Sequence, residues 1–467
     1  MPTLPPEPPG ELPNKPPGKL PLEGIRILDS TYVFALPYTG GHLADLGAEV
    51  IKIEGPKRPD VTRTGGYYGS FPESKAGEEW WNEPSTYNLL NRGKRSLVVD
   101  LADERGRDLF RQMVRVSDIV MENFTPRVMR GWGLDYPNLK KIRPDLILVS
   151  NTGYGHGGGP YSSYPAQATT QEGTHGHCWV TGQPNGPPAK AGASFVDFLS
   201  TWSAIFAIGA ALRYRHQTGK GQWVDIGMYQ AGVMFLSEYL MDAIANGREG
   251  QRIGNRHPFR APQGCYRTQG QDRWITLSVG SDEQWQALCQ LMGREELAQE
   301  PRFATGLARQ QHHDEIDEII RVWTGQHDCY DLMHRLQGVG IPAGPVLNGR
   351  DVHFDPQYRS RNFLERVEFP PERGLGTRLF MGRPYRLANT PLKIQRPAPT
   401  FGQDNQTLLQ DLLGLDDATY QRLVQEAVVA TIPLSGEPSP QHSPQRAMEL
   451  GLMSDWDPDY RRRLGLS

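Results

Sequence analysis

Strand-like and helix-like segments alternate along residues 25–150, and this alternation restricts the fold more than any other feature of the sequence. The apolar segments that fit buried strands are Ile25–Leu28, Glu49–Ile53, Ser96–Val99, Ile119–Glu122 and Leu146–Ser150. The segments that fit helices between them are Tyr38–Leu46, Glu104–Val114 and Arg127–Gly131. A strand, a helix and a second strand within about 30 residues form a βαβ unit with parallel strands. The pattern therefore predicts a doubly wound α/β domain.

Ligands of such a sheet bind beyond the carboxyl ends of its strands, so the loops at that edge are candidate binding segments. These loops are Asp29–Pro37, Glu54–Arg63, Asn123–Arg130 and Asn151–Tyr161. The last of them contains the glycines between Gly153 and Gly159, but it runs into Pro160 rather than into a helix. This favours a flexible loop over a dinucleotide-binding turn.

Asp197 lies between a loop rich in glycine and proline and the long apolar segment Phe198–Leu212. Phe198, Trp202 and Phe206 recur there at helical spacing. A carboxylate in the first turn of a buried helix lies where the helix dipole and the unpaired N–H groups favour an anion. The simplest interpretation is an N-cap that only starts the helix, and a catalytic carboxylate is the alternative.

Size and charge limit the class of protein. A chain of 467 residues exceeds the usual size of one hydrophobic core, so we expect two or more domains. The net charge of −3 leaves no basic excess for nucleic acid. The longest apolar run ends at Arg213, short of the ~18–20 residues of a membrane span, and the proline-rich start lacks the apolar core of a signal peptide. We therefore expect a cytoplasmic protein without nucleic-acid or membrane partners.

The cysteines and histidines do not form a recognisable metal motif. CxxC spacing is missing from all four cysteines, which are Cys178, Cys265, Cys289 and Cys329. His175 and His177 lie near Cys178, but no fourth ligand follows at short spacing, which favours placement in a loop or in the core. We expect no metal site.

Eight sequence blocks occur in the same order as in a known family. They are LEGIRILDSTYVFALPYTGGHLADLGAEVIKIEGP at 22–56, YNLLNRGKRSLVVDL at 87–101, ENFTPRVMRGWGL at 122–134, TGQPNGPP at 181–188 with Asp197, TGKGQWVDIGMYQA at 218–231, GNRHPFRAPQGCY at 254–266, GIPAGPV at 340–346 and APTFGQDNQTLLQDLLGL at 398–415. By these blocks the chain resembles the family III CoA-transferases, which include formyl-CoA transferase, carnitine CoA-transferase and α-methylacyl-CoA racemase. The resemblance covers nearly the whole chain.

The resemblance implies an intertwined, ring-like homodimer in which each chain has a large Rossmann-like domain and a smaller α+β domain. The implied division is a Pro-rich N-terminal arm at 1–21, a large CoA-binding domain at 22–225, a linker helix at 226–244, a small domain at 245–375, a return to the large domain at 376–430 and a C-terminal extension at 431–467. Periodicity in the small domain predicts a strand at Trp274–Val279 and helices at Asp282–Met292, Asp314–Thr324 and Tyr330–Gln337. We expect the extension to be an arm over the dimer surface, with disorder as the alternative.

The resemblance also implies that Asp197 is the catalytic residue. Its carboxylate would attack an acyl-CoA thioester to give a mixed anhydride, and the released CoA thiolate would convert the anhydride into an aspartyl-CoA thioester. An incoming acid would then reverse the sequence. CoA and acyl-CoA are substrates in this reaction, and no permanently bound cofactor is implied.

The CoA site is carried over position by position. Six positions that match the family's site or lie beside it are Phe34, Ala35, Val99, Ala102, Asn123 and Phe124. The basic residues that the family uses for the phosphates have shifted, since Gly55 and Gly131 occupy two of their positions. We expect Arg58 and Arg130 to bind the phosphates instead, because a guanidinium forks onto phosphate oxygens. Ordinary solvated charges are the alternative.

Departures from the family bear on the reaction. Phe34 replaces the glutamine of formyl-CoA transferase, Leu36 replaces the following glycine, and the glycine-rich gating loop has no counterpart, all of which argue against an acceptor as small as oxalate. Gln167 and Ala168 replace the histidine and acid that racemases use as partner base, which disfavours a 2-methylacyl-CoA racemase or epimerase. A third possibility is one subunit of a heteromeric CoA-transferase.

The acceptor acid is open. Four basic residues could bind the second carboxylate of a dicarboxylate, with succinyl-CoA as the donor: Arg63, His156, Arg256 and Arg260. Four aromatic residues could instead line an apolar pocket for an aromatic or carnitine-like acid: Tyr67, Tyr68, Trp80 and Trp81.

Overall fold

The computed structural model describes residues 19–66, 71–192 and 194–466. Most of the proline-rich N-terminal arm, together with Tyr67 and Tyr68, lies outside these ranges. The strands are β1 (Arg26–Asp29), β2 (Glu49–Glu54), β3 (Arg95–Val98), β4 (Ile119–Glu122), β5 (Ile147–Thr152), β6 (Trp223–Gly227), β7 (Gln263–Arg267), β8 (Trp274–Ser278), β9 (Ala343–Pro345), β10 (Leu364–Glu368) and β11 (Thr377–Met381).

The helices are α1 (Ala35–Asp45), α2 (Ser85–Leu90), α3 (Glu104–Arg115), α4 (Pro126–Gly131), α5 (Tyr136–Ile142), α6 (Ala168–Thr174), α7 (His177–Val180), α8 (Phe195–Thr218), α9 (Met228–Phe235), α10 (Ser237–Asn246), α11 (Asp282–Met292), α12 (Gly306–Gln311), α13 (His313–Thr324), α14 (Cys329–Gly338), α15 (Gly349–Phe354), α16 (Pro356–Ser360), α17 (Asn405–Leu413), α18 (Asp417–Gln425), α19 (Pro444–Glu449) and α20 (Tyr460–Leu464). Short 3₁₀ helices occur at Val61–Thr64, Pro72–Ser74, Trp80–Asn82, Glu295–Ala298 and Pro371–Arg373.

Residue contacts divide the chain into two compact units. The first comprises the described residues up to His175, then Gly192–Phe235, and the chain from Gln357 onward. The second comprises Gly176–Ala191 and Leu236–Pro356. The division into domains drawn from the sequence stays a prediction.

The first unit is built on a six-stranded sheet in the order β3-β2-β1-β4-β5-β6. Every neighbouring pair in this sheet is parallel. The order reverses direction on the two sides of β1, which is the doubly wound arrangement, so the predicted fold class is confirmed. Strand β6 was not predicted from the sequence, because this edge strand is only partly buried and lacks the apolar run of the buried strands.

Apolar side chains cover both faces of this sheet. On one face Phe110, Met113 and Leu139 pack with Leu408 and Leu423 from the C-terminal part of the chain. On the other face the core includes Leu36 and Leu43 of α1 and residues of α8 that include Ala204, Ile208 and Ala211. Helices on both faces of a parallel sheet bury its inner strands, which explains why β1, β4 and β5 are largely apolar.

Helix α1 begins three residues earlier than the sequence pattern predicts. Pro37 lies inside its first turn, where the missing N–H of a proline costs no hydrogen bond within the helix. Helix α8 also begins earlier, at Phe195, with Ser194 in the N-cap position. The interpretation of Asp197 as the N-cap is therefore wrong, whereas its predicted position in the first turn is confirmed.

Helix α8 is long and apolar enough to cross a membrane by length and composition. Its most apolar 18-residue window has a mean hydropathy of 1.6, and 39% of that window is buried. The expectation that Arg213 ends the apolar run too early for a membrane span is wrong by this criterion. The helix already starts at Phe195, and the mean hydropathy of an 18-residue window can stay high when the window contains a charged residue. A core helix passes the same test, and α8 contributes to the core on one face of the sheet.

The second unit has its own sheet and core. Strands β7, β8 and β9 form an antiparallel sheet with β8 in the centre. Helices α11, α13 and α14 supply Trp285, Leu288, Ile316, Ile320 and Leu332 to one apolar cluster with the strands. The strand and helices predicted from periodicity in this region are confirmed, with boundaries within one residue.

Candidate active site

A cavity of about 890 Å³ lies at the carboxyl ends of β1 to β4 in the first unit. This is the edge at which a doubly wound sheet binds ligands. The cavity is lined by Ser30, Tyr32, Val33, Ile53, Glu54, Gly55, Lys57, Arg58, Pro59, Val61, Val99, Asp100, Leu101, Ala102, Phe124, Arg127, Val128, Gly131 and Trp132. Three of the four loops singled out from the sequence therefore meet here.

Four of the expected CoA-site residues line this cavity: Arg58, Val99, Ala102 and Phe124. The other four, Phe34, Ala35, Asn123 and Arg130, do not. The roles of all eight stay predictions.

Asn123 does not line the cavity, but its side chain binds the backbone of the loop after β1, which does. Its Oδ1 accepts from the Tyr32 N–H at 2.9 Å, and its Nδ2 donates to the Tyr32 carbonyl at 2.7 Å. The Tyr32 hydroxyl in turn accepts from the Gly55 N–H at 3.1 Å. The side chain of Asn123 thus fixes the backbone after β1, and the Tyr32 ring packs on Phe124 with centroids 5.7 Å apart.

The basic residues of the cavity are Lys57, Arg58 and Arg127. Lys57 Nζ lies 3.1 Å from Asp100 Oδ2, so this ion pair joins two walls of the cavity. Arg127 was missed from the sequence, and the predicted Arg130 is exposed one turn further along α4. Residues three apart lie on similar faces of a helix, so spacing alone does not show which of Arg127 and Arg130 lines the cavity. Only the shorter distance of Arg127 from the end of β4 along the chain could have indicated it.

Buried ion pairs lie next to this cavity. Lys52 Nζ is 2.8 Å from Asp60 Oδ2, and Lys94 Nζ is 2.6 Å from Asp29 Oδ2, with all four side chains fully buried. Burial lowers the pKa of Lys94 to about 8, although Asp29 opposes this shift. Buried charges are tolerated only when they are paired and hydrogen-bonded.

Arg63 belongs to the same buried layer. Its guanidinium is fully buried, pairs with Glu54 at 2.8 Å and stacks on the Tyr87 ring at 3.7 Å. The suggestion that Arg63 could bind the second carboxylate of a substrate is therefore wrong, because Glu54 already neutralises it. Arg256, in the second unit, is likewise paired, with Asp314 and Asp317.

The turn between β1 and α1 contains a strained residue. Val33 has a φ of 75°, a left-handed conformation that is a genuine outlier for a β-branched residue. Its N–H donates to Asp60 Oδ1 at 3.3 Å, so the buried Lys52–Asp60 pair reaches this turn. Strain of this kind, of order 1–3 kcal/mol, persists only where surrounding contacts fix the backbone.

Asp197 lies close to the start of α1. It is the third residue of α8 and only 7% exposed. The Thr201 hydroxyl lies 2.8 Å from the Asp197 carbonyl and 2.9 Å from the Ala35 carbonyl. The rings of Phe34 and Phe198 are 5.1 Å apart. The N-terminal parts of the two helices are therefore in contact through Phe198 and Thr201, close to Asp197 in the chain.

Glu172 of α6 caps the helix that carries Asp197. Ser194 makes no side-chain cap, and Glu172 Oε1 instead accepts from the Phe195 N–H at 2.8 Å. Glu172 is fully buried. Sequence reasoning missed this residue, because a cap supplied by a different helix leaves no local pattern.

A second buried carboxyl group, Glu122, ends β4. Burial raises its pKa to about 7. Glu122 Oε2 accepts from the Phe124 N–H at 2.9 Å, and Oε1 lies 3.4 Å from His156 Nε2. Burial also lowers the pKa of His156, so the neutral imidazole faces a carboxyl group that holds its proton near neutral pH.

Gln167 starts α6 as one half of a capping box with Thr170. The position that matches the racemase histidine therefore has a local structural role. Within residues 19–66, 71–192 and 194–466, no group of three or more His, Cys, Asp or Glu side chains is placed to hold a metal ion.

Comparisons with known proteins identify the family of the chain. The sequence model of the family described as CoA-transferase family III matches residues 22–405. The chain is 35% identical over 394 residues to the succinate–glutarate CoA-transferase of Agrobacterium fabrum, covering 84% of this chain and 95% of that protein. It is 35% identical over 343 residues to the acetyl-CoA:oxalate CoA-transferase of Acetobacter aceti, covering 73% and 85%.

A heteromeric relative and a solved structure are also similar. The beta subunit of succinyl-CoA–L-malate CoA-transferase of Chloroflexus aurantiacus is 30% identical over 412 residues, covering 87% of this chain and 98% of that protein. A CaiB/BaiF family protein from Brucella suis superposes with a TM-score of 0.76 at 33% identity, covering 85% of this chain and 100% of the other. From its sequence blocks, its fold and these matches, the chain belongs to CoA-transferase family III.

Proposed function

We propose that this CoA-transferase moves CoA between carboxylic acids through covalent intermediates on Asp197. The observation that supports the proposal is the placement of a buried aspartate in the first turn of α8, whose Thr201 also contacts the first residue of α1. Burial excludes water from an activated acyl group, and the first turn of a helix such as α1 has N–H groups that its own hydrogen bonds do not use.

The reaction balances in four steps. Asp197 attacks the thioester carbon of the donor, the C–S bond breaks, and a mixed anhydride and CoA thiolate result. The thiolate attacks the Asp197 carbonyl carbon, which releases the donor acid and leaves an aspartyl-CoA thioester. The acceptor carboxylate attacks this thioester to form a second anhydride, and the thiolate then takes the acceptor acyl group and frees Asp197.

Each step passes through a tetrahedral oxyanion that needs hydrogen-bond donors. The first-turn amides of α1, at Ala35 and Leu36, are our candidates, because they belong to the helix start that Thr201 joins to Asp197. This assignment gives Phe34 and Ala35 a place near the reacting thioester rather than at the nucleotide.

We assign the nucleotide end of CoA to the cavity at the strand ends. Val99 and Ala102 would line the adenine, and Phe124 would pack beside it. Lys57, Arg58 and Arg127 would bind the phosphates, since guanidinium and ammonium groups are the usual phosphate partners. A volume of about 890 Å³ suits a ligand of this size.

For the acids we propose dicarboxylates, with succinyl-CoA as donor. The support lies in the relatives, whose names include succinate, glutarate and malate. Oxalate stays in the acceptor panel, because a relative with 35% identity is named for it. We further propose that the protein is cytoplasmic and works as a homodimer, with a heteromer as the alternative suggested by the relative named as a beta subunit.

Isotope transfer tests the role of Asp197. With an ¹⁸O-labelled acceptor acid and succinyl-CoA, we expect one ¹⁸O atom to appear on the Asp197 peptide by mass spectrometry, because the bridging oxygen of the second anhydride stays with the aspartate. Asp197→Asn should lose acyl-CoA formation by at least about a thousandfold. The control Asp108→Asn, an exposed residue of α3, should keep it.

Two results would contradict the proposal. An acyl-CoA product formed without label on Asp197 would mean direct transfer to the acceptor. Uptake of solvent deuterium at the α-carbon of an acyl-CoA, with no transfer to any acid, would favour the racemase alternative.

A further inference from the structure

The chain beyond the region matched by the family returns to the walls of the cavity. The family match ends at residue 405, whereas the structure continues through residue 466. We call residues 428–439 the C-terminal strap. Its contacts include the two cavity-lining segments 55–61 and 99–102.

The first end of the strap is fixed to the segment after β3. The Asp100 N–H donates to the Val428 carbonyl at 2.8 Å, and Val429 forms an isolated antiparallel bridge with Val99. Asn405 Nδ2 donates to the Ala430 carbonyl at 2.8 Å. Val99 and Asp100 both line the cavity, so the strap starts on one of its walls.

The strap then crosses the turn on the opposite wall. Residues 55–58 form a tight turn closed by the Arg58 N–H and the Gly55 carbonyl at 3.2 Å. The Leu434 N–H donates to the Pro56 carbonyl at 2.8 Å, and the Ser435 hydroxyl donates to the Lys57 carbonyl at 2.6 Å. The two central carbonyls of the turn, which point away from a turn's own hydrogen bond, are therefore both bound by the strap.

A third contact holds the far end of the same loop. The Ser439 N–H donates to the Thr64 carbonyl at 2.8 Å. The loop 55–64 carries Lys57 and Arg58, which both line the cavity, and the strap binds the backbone of this loop at three points. The Lys57 side chain is 66% exposed, so its own contacts with solvent do little to fix the turn.

We propose that Leu434 and Ser435 of the C-terminal strap are positioning residues for the phosphate-binding turn of the CoA site. The proposal rests on the assignment of the cavity to CoA. A turn that is already ordered binds its ligand without the entropic cost of ordering it. The strap acts on Lys57 and Arg58 through their backbone, so it should affect binding of CoA and leave the chemistry at Asp197 unchanged.

The test removes the two donors without truncating the chain. In Leu434→Pro/Ser435→Ala the first substitution deletes the N–H and the second deletes the hydroxyl. We expect KM for succinyl-CoA to rise about tenfold, the loss expected from two hydrogen bonds of ordinary strength. The values of kcat and of KM for the acceptor acid should stay within about twofold, because the strap does not contact Asp197.

A second readout does not depend on activity. Trypsin cleaves after Lys57 only when the turn opens, so cleavage of the Lys57–Arg58 bond in the folded protein should be several-fold faster in the double variant. Thr431→Ala is the matched control, since it deletes the hydroxyl of an exposed residue of the same strap that lies before the turn contacts. It should change neither KM nor cleavage.

The outcomes separate the two proposals. Unchanged KM and unchanged cleavage in the double variant would overturn the role of the strap. Faster cleavage with unchanged KM would overturn it as well, because the turn would then be held by the strap without serving CoA. If succinyl-CoA does not slow cleavage after Lys57 in the wild-type protein, the assignment of the cavity to CoA fails instead.

Discussion

At the scale of single residues, burial changes what a charged side chain can do. Glu122 illustrates this, because burial raises its pKa to about 7, above the value near 4.3 of an exposed glutamate. Between these two values the folded protein binds a proton that the unfolded chain has lost. The contribution of Glu122 to stability is therefore full below about pH 4.5 and is lost as the pH rises through about 7.

The variant Glu122→Gln tests whether the contribution of Glu122 to stability falls as the pH rises. The amide oxygen can still accept from the Phe124 N–H, but the side chain no longer ionises. Relative to the wild type, we expect the free energy of unfolding of the variant to be higher at pH 8 than at pH 5 by up to about 3 kcal/mol. Urea denaturation at the two pH values measures it. A difference between the proteins that does not change with pH would contradict the assigned shift.

The environments of some charged residues could not be predicted from the sequence. The sequence placed Arg63 among possible substrate ligands, and the structure buries it against Glu54 and Tyr87. Arg127 lines the cavity while Arg130 one turn later does not. Residue type and spacing identify the chemistry that is present, but only tertiary packing decides which charge faces a ligand and which is neutralised.

At the scale of elements, the important feature of α8 is which residue lies in its first turn and what caps that turn. Helix α8 carries Asp197 in its first turn, and Glu172 of a different helix supplies its cap. Loss of a cap costs about 1 kcal/mol. Its larger effect here is that the first turn, including Asp197, can fray or shift.

Comparison of Glu172→Ala with Glu172→Gln separates the effect on kcat of losing the helix cap from the effect of losing the negative charge. Alanine removes the acceptor of the Phe195 N–H, and we expect kcat to fall about 10- to 100-fold through misplacement of Asp197. Glutamine retains an acceptor oxygen and should keep kcat within a few-fold of the wild type. Steady-state kinetics at saturating succinyl-CoA measure both. Equal losses in the two variants would mean that the charge of Glu172 matters rather than the cap.

Elements were predictable where their hydrophobic period was uninterrupted. The five apolar strands and the helices of the second unit lie where the sequence placed them. The starts of α1 and α8 were set too late, because Pro37 and Ser194 are compatible with a helix start as well as with a loop. Strand β6 was not predicted because it lies at the edge of the sheet and is partly exposed, so fewer of its side chains are apolar.

At the scale of the whole molecule, the parallel sheet follows from sequence alone because each βαβ unit fixes its own handedness. The return of residues 405–429 to the first unit does not follow from local pattern. It depends on contacts of very long sequence separation, such as Asn405 Oδ1 with the Val98 N–H at 2.7 Å. The expectation of a return at 376–430 came from the resemblance to the family, because no periodicity in the sequence indicates it. The path of the C-terminal strap lies beyond the resemblance and is visible only in the structure.

The exposed apolar side of α8 raises a question that only the assembled molecule answers. Phe206 on α8 is 80% exposed and Met234 on the adjoining helix α9 is 77% exposed. A contiguous apolar patch on such a surface marks an interaction site. A lipid bilayer and a second chain could each cover them. A second chain fits better, because the opposite side of α8 is bound into the sheet core and carries hydroxyl contacts to α1, which a membrane-spanning helix could not keep.

We therefore expect the purified protein to sediment as a dimer without detergent. Phe206→Glu/Met234→Glu should shift it toward the monomer, since burying two carboxylates without partners costs several kcal/mol. The control Leu307→Glu, which changes an apolar residue that is 72% exposed on α12, should leave the dimer intact. Sedimentation velocity over a concentration series measures all three. A wild-type monomer that floats with lipid vesicles would contradict the dimer and assign α8 to a membrane surface, and a stable dimer of the double variant would place the interface elsewhere.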